Sequence, residues 1–148
     1  MQIKISPELL EKYESLKAGK VYYGEFAKDT SLHGGVVLSV VDGIVHVFCI
    51  TSSERFIQSQ RIYDPQSIVE VPSDIVNEVF SEQQKPSWVY CGKANHSVYS
   101  EKEFLSLLSE GKIAFKCTAD DSFFEKVKNA VRNSVTYTSY DLSSMGVA

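Results

Sequence analysis

The chain has 148 residues, 43% of them hydrophobic and 23% charged, with a formal net charge of −4 and a pI near 5.4. That length suits one ordinary domain, which buries about two-thirds of its unfolded surface and needs neither disulfide nor metal to fold. The acidic balance argues against a protein that coats nucleic acid by bulk charge, while leaving room for a local cationic pocket.

The three cysteines, Cys49, Cys91 and Cys117, are an odd set without a CxxC pair. This argues against a disulfide framework and against a thiolate zinc site. Met1–Lys20 is charged throughout and has no apolar signal-peptide core, and the apolar runs are too short to span a bilayer. The expectation is a soluble cytoplasmic protein with no membrane contact.

Ser6-Pro7, with Leu9, Leu10, Tyr13 and Leu16 behind it, predicts a first amphipathic helix ended by Gly19. Val21–Phe26 reads as a strand and Ala27–Gly35 as a polar loop. Val36–Val41 and Ile44–Ile50 are β-branched runs separated by Asp42-Gly43, which predicts a tight hairpin. Phe56–Ile62 reads as a further strand stopped by Asp64-Pro65. Ser67–Val71 reads as another, followed by a short helix over Ile75, Val76, Val79 and Phe80 that Ser73 caps. Ser81–Pro86 is a loop and Ser87–Cys91 a buried strand. The cluster Asn95–Tyr99 follows, with Asn95-His96-Ser97 as a polar turn. Ser100 and Glu103 form a capping box for a helix with Phe104, Leu105, Leu107 and Leu108 as its apolar stripe and Gly111 as its stop. Ile113–Cys117 is a short strand. The last helix starts at a Thr118/Asp121 or a Ser122/Glu125 cap and buries Phe124, Val127, Val131 and Val135; residues from Thr136 on form a loose tail.

Short strands with tight connections and helices toward the ends predict an α+β fold: a small, mostly antiparallel β-barrel with peripheral short helices. The expected organisation is a single domain over 1–148, with a barrel core at about 19–117, a C-terminal helix at about 119–135 and the tail at 136–148.

Several segments together resemble the MazF/PemK family of growth-inhibitor toxins. Gly19-Lys20-Val21-Tyr22-Tyr23 is similar to its opening strand, and Gly34-Gly35-Val36-Val37-Leu38-Ser39 to its second. Ile44–Ile50 running into Thr51-Ser52-Ser53 is similar to its strand ending in an Ile-Thr-Ser turn. Tyr90-Cys91, Gly111-Lys112-Ile113 and Ser134-Val135-Thr136 follow the layout of its longer members. The resemblance covers Gly19 to Thr136. It implies an SH3-like barrel, a metal-independent endoribonuclease of a type II toxin–antitoxin system acting on single-stranded mRNA, a homodimer and a cognate antitoxin. In the family an Arg-Pro pair opens the second strand and the arginine serves cleavage; here Gly34-Gly35 stand there, preceded by His33.

Metal-independent RNA cleavage needs a base for the 2′-OH, a proton for the leaving 5′-oxygen and donors for the charged phosphorane. Histidine suits the first two roles and hydroxyls and cations the last. The catalytic candidates are therefore His33, Thr51 and Ser52. The substrate-binding candidates are Gly34 and Gly35, whose loop could approach a phosphate closely, with Ser53, Arg55 and Arg61. Each has a plainer alternative. His33 could be an idle loop histidine, the hydroxyls could be turn formers, and the arginines could be solvated surface charge. His46 lies on the strand face of Ile44, Phe48 and Ile50, which suits a satisfied buried histidine. The histidines lack metal-cluster spacing, so no metal is expected. Without GxxxxGK[ST] or GxGxxG no nucleotide cofactor is implied. Trp88, Tyr90 and Tyr99 could stack on bases or simply pack a core. The rival to the nuclease is a catalytically inactive barrel that binds protein or nucleic acid.

Overall fold

In the computed structural model, which describes residues 17–26, 32–80 and 85–147, Asp42 and Gly43 adopt φ of +50° and +77°. Two left-handed residues are what a two-residue hairpin turn requires. They join β2 (His33–Val41) to β3 (Ile44–Thr51) as an antiparallel pair, as the dipeptide predicts. β1 (Lys20–Gly24) flanks β2, and β7 (Ile113–Thr118) flanks β1. On the other side β3 divides its pairing. Its first half takes β6 (His96–Ser100), and Ile50-Thr51 take β5 (Trp88–Tyr90), which pairs with β4 (Ile68–Glu70). Asn95 holds this division together, its side-chain amide donating to the carbonyls of Cys49 at 2.8 Å and Tyr90 at 2.9 Å.

The seven described strands are all antiparallel, in the order β4-β5-β3-β2-β1-β7 with β6 on β3. Helices complete the barrel-like curl. The helix α2 (Ser73–Val79), which follows β4, packs on β1 and β7, whereas α4 (Asp121–Asn133), which follows β7, packs back on β4. Each end of the sheet thus sends a helix across the other.

Strand alternation produces two apolar layers. Val21, Val36, Phe48 and Ile50 face the larger core, filled by Ile75 and Val79 of α2 and Phe123, Val127 and Val131 of α4. Tyr22, Val37, Val45 and Val47 face the smaller core under Phe104 and Leu108 of α3 (Glu101–Ser109). α3 has the predicted capping box, with both reciprocal bonds between Ser100 and Glu103, and stops at Gly111 with φ of +72°. No described helix is long and apolar enough to cross a membrane.

Several local expectations are corrected. Phe56–Ile62 is not a strand but part of α1 (Glu54–Tyr63), because Ser53 caps it by accepting from Phe56 N, and Glu54 and Arg61 match the helix dipole at its two ends. Gly34 and Gly35 lie within β2 rather than in a loop. A side chain on Gly35 would meet the Phe26 ring at 2.9 Å, so glycine here permits close packing under the sheet. The cap of α2 is Pro72, not Ser73, and that of α4 is Asp120, which accepts from Phe123 N at 2.8 Å, so neither predicted cap pair starts that helix. Val135 lies beyond the end of α4 and is exposed. Asn95-His96-Ser97 is no free turn, since β6 begins at His96.

The loose tail is in fact built structure. α5 (Ser139–Ser144) starts at a Thr138/Asp141 capping box, and Met145 and Val147 are buried in the larger core. Ser39 donates to Met145 O at 2.6 Å and Arg132 to Val147 O at 2.8 Å. Ser39 follows a β-bulge at Leu38, which aims both residues toward this core. The predicted first helix and most of the predicted loops Ala27–Gly35 and Ser81–Pro86 lie outside the described residues.

Candidate active site

β1, β2 and β3 end together. Gly24 pairs with His33, Tyr23 with Gly34, and Gly34 with Ile50, which leaves His33 and Thr51 at neighbouring strand ends. A groove of about 700 Å³ opens there. His33, Thr51, Ser52, Ser53 and Lys116 line it, with Tyr23, Leu32, Ile50, Val79 and Phe80 as its apolar part. The three catalytic candidates and Ser53 thus share one cavity. A second opening of about 630 Å³ near Glu70, Ser73, Lys85 and Lys126 carries no histidine.

The hydroxyl turn is held by its own backbone. Thr51 Oγ1 accepts from Ser53 N at 3.1 Å, and Ser53 Oγ accepts from Phe56 N at 3.3 Å. Both hydroxyls therefore use a lone pair locally and keep their protons for an outside acceptor. Ser52 is exposed at the start of α1, where unpaired backbone N–H groups favour an anion. Tyr23 and Phe80 meet edge to face at 5.5 Å and both line the groove, whereas Trp88, Tyr90 and Tyr99, the aromatic candidates from the sequence, do not. Of those three, Tyr90 is buried and donates to Asp64, and Tyr99 donates to Phe26 O.

Gly34 and Gly35 are buried beneath the groove rather than on its surface. A Cβ on Gly34 would lie 3.0 Å from Val79 and 3.1 Å from Ile50, so the missing side chain lets the apolar floor close up. Arg55 and Arg61 are exposed on α1 and do not line the groove. Lys116, which sequence reasoning passed over, does.

The other two histidines form a separate pair. His46 Nδ1 lies 2.9 Å from His96 Nε2, and the rings stack at 5.1 Å on the face of Phe48. A backbone hydrogen bond ties His46 to Ser144, and Tyr137 meets the His96 ring edge-on at 5.9 Å. This small cavity, of about 100 Å³, also holds Lys93 and Asp141. Among the described residues no three His, Cys, Asp or Glu side chains cluster as metal ligands.

Burial lowers the pKa of His46 against the opposing bond to Ser144. Burial, and then the neighbouring His46, push His96 down to about 4, with Lys93 adding to this and Asp141 opposing it. The unfolded chain, whose histidines titrate near 6.5, therefore takes up protons that the folded chain refuses. Stability is complete above that value and falls as pH drops from 6.5 toward 4. The urea midpoint is expected to fall between about pH 7 and pH 5, and to fall less in His96→Phe. A wild-type midpoint that is flat across that range contradicts this account.

The sequence matches no protein-family model and no curated protein. The chain is similar to a solved endoribonuclease in complex with its cognate antitoxin from a mycobacterial species, at 11% identity and a TM-score of 0.48, over 89% of this chain and 96% of that chain.

Proposed function

We propose that this chain is a toxin-like, metal-independent endoribonuclease acting on single-stranded RNA in the groove of His33, Thr51, Ser52 and Ser53. The observation that supports the reading most directly is the meeting of a histidine, three hydroxyls and a lysine in one open cavity with an aromatic wall. In the proposed reaction His33 takes the 2′-OH proton. The 2′-oxygen then bonds to phosphorus, and the bond from phosphorus to the 5′-oxygen breaks. The electron pair stays on the 5′-oxygen, which takes a proton from solvent. The products are a 2′,3′-cyclic phosphate and a 5′-hydroxyl. Hydroxyl protons of the 51–53 turn donate to the phosphorane oxygens.

The resemblance of the strand segments to the MazF/PemK toxins supports the same reading. It carries with it a homodimer and an antitoxin with a disordered acidic segment that folds across the groove. The rival reading, a binding module on the same barrel, draws on there being a single fixed cation among the described residues that line the groove, and on the position of Arg55 and Arg61 outside it.

The deciding test is incubation of the purified chain, freed of any co-purifying protein, with labelled single-stranded RNA in chelator. Fragments ending in 2′,3′-cyclic phosphate are expected. Intact RNA that nevertheless binds the protein selects the rival.

A further inference from the structure

We infer that Lys116 is the residue that contacts the scissile phosphate in this groove. The inference rests on the nuclease reading for its chemistry and on the geometry of β7 for its residue. Val21 pairs with Cys117 and Tyr22 with Phe115, so Lys116 is the extra residue of a β-bulge. A bulge re-aims the side chain it inserts, and this one lines the cavity of His33 and the hydroxyl turn. Lys116 is exposed. The neighbouring cation on β1, Lys20, is engaged elsewhere, donating to Thr118 Oγ1 at 2.9 Å and lying 5.5 Å from the centre of the Phe115 ring.

A phosphodiester is an anion, and attack by the 2′-oxygen adds charge to its non-bridging oxygens. Neutral hydroxyls alone leave that charge unbalanced in a groove floored by Ile50, Val79 and Phe80. Among the described residues that line the groove, Lys116 is the one fixed cation. The position gives it two tasks: holding the backbone of the bound strand, and offsetting the charge that builds during cleavage.

Wild type, Lys116→Met and Lys116→Arg are compared in two assays. The first is fluorescence anisotropy with a fully 2′-O-methylated single-stranded oligonucleotide, which cannot be cut, over a range of salt. The second is single-turnover cleavage of the unmodified strand. Lys116→Met is expected to bind more weakly and to lower the logarithmic salt slope by about 0.7. It is expected to cut about 100-fold more slowly, with Lys116→Arg keeping most of both. Unchanged melting temperatures confirm that the exposed side chain is not structural.

Wild-type affinity and salt slope in Lys116→Met overturn the inference, even where wild type cuts RNA and the nuclease reading survives. A wild type that binds through Lys116 and cuts nothing keeps the phosphate contact and removes the nuclease. A wild type that neither binds the oligonucleotide nor cuts the unmodified strand overturns both.

Discussion

His33→Ala is expected to slow RNA cleavage by about 100- to 10,000-fold, the usual loss when a well-placed general base is removed. Hydrogen-bond donors that remain in a groove cannot take up the 2′-OH proton, so the effect should fall on the bond-making step. His33 is half-buried at the first position of β2, paired with Gly24, and its side chain lines the groove rather than a core. The fold therefore loses little when it is truncated. Thermal melts and binding of the uncuttable oligonucleotide should stay close to wild type while the single-turnover rate collapses. Ser52→Ala and Thr51→Val should follow with smaller losses, and Thr51→Val should also loosen the turn, because Oγ1 accepts from Ser53 N. If wild type cuts and His33→Ala cuts equally fast, His33 is not the base, and the groove must find its base in another of its side chains.

What could be read from the sequence was what local chemistry determines. Asp42-Gly43 carries its own backbone requirement, and the Ser100/Glu103 box closes within one helical turn, so both elements appear where the residues predict them. His33 and Thr51 were legible together because a hairpin brings its own strand ends together. Lys116 was not, since its place depends on a bulge in the pairing of β7 with β1, which no short window encodes. Arg55 and Arg61 had two readings, a phosphate clamp or solvated surface charge, and which of them the fold favours depends on the stretch that carries them. The Ser53 cap coils Phe56–Ile62, expected as a strand, into α1, and both arginines are exposed and do not line the groove. The tail misled because it has no apolar run. It is anchored by Met145 and Val147 and by bonds from Ser39 and Arg132, contacts with partners remote in the chain or on the preceding helix. Asp64 looked like turn punctuation beside Pro65, and nothing near it announces that it is buried.

That burial carries the largest stability prediction. Asp64 is 1% exposed at the end of α1. Its Oδ2 accepts from Tyr90 OH at 3.0 Å and Ser134 Oγ at 2.5 Å, and its Oδ1 accepts from Val135 N at 3.0 Å. Ser134 has one proton and gives it to Asp64, so at 2.8 Å Thr136 must donate to Ser134, and Thr136 Oγ1 in turn accepts from Lys93 N. One carboxylate thus orders β5, the end of α4 and the approach to α5. Burial opposes its charge, but the bonds from Ser134, Val135, Ser67 and Tyr90 outweigh burial and hold its pKa below the ordinary 3.8. Burial and the same carboxylate push Tyr90 up to about 12. Asp64→Ala strands the Tyr90 and Ser134 hydroxyls and the Val135 amide, and should cost about 3–5 kcal/mol. Asp64→Asn keeps the shape but turns an amide donor toward groups that already donate, and should cost about 1–3 kcal/mol. Since the folded pKa is the depressed one, the charge contributes its full stability above 3.8 and loses it as pH falls through the folded value. The gap between wild type and Asp64→Asn in urea denaturation should therefore hold from about pH 7 to pH 5 and close below about pH 4. This window lies below that of the histidine pair, so the two contributions can be separated in one titration. A gap that stays constant down to about pH 2 would mean that the pattern of hydrogen-bond acceptors, and not the charge, is what Asp64 supplies.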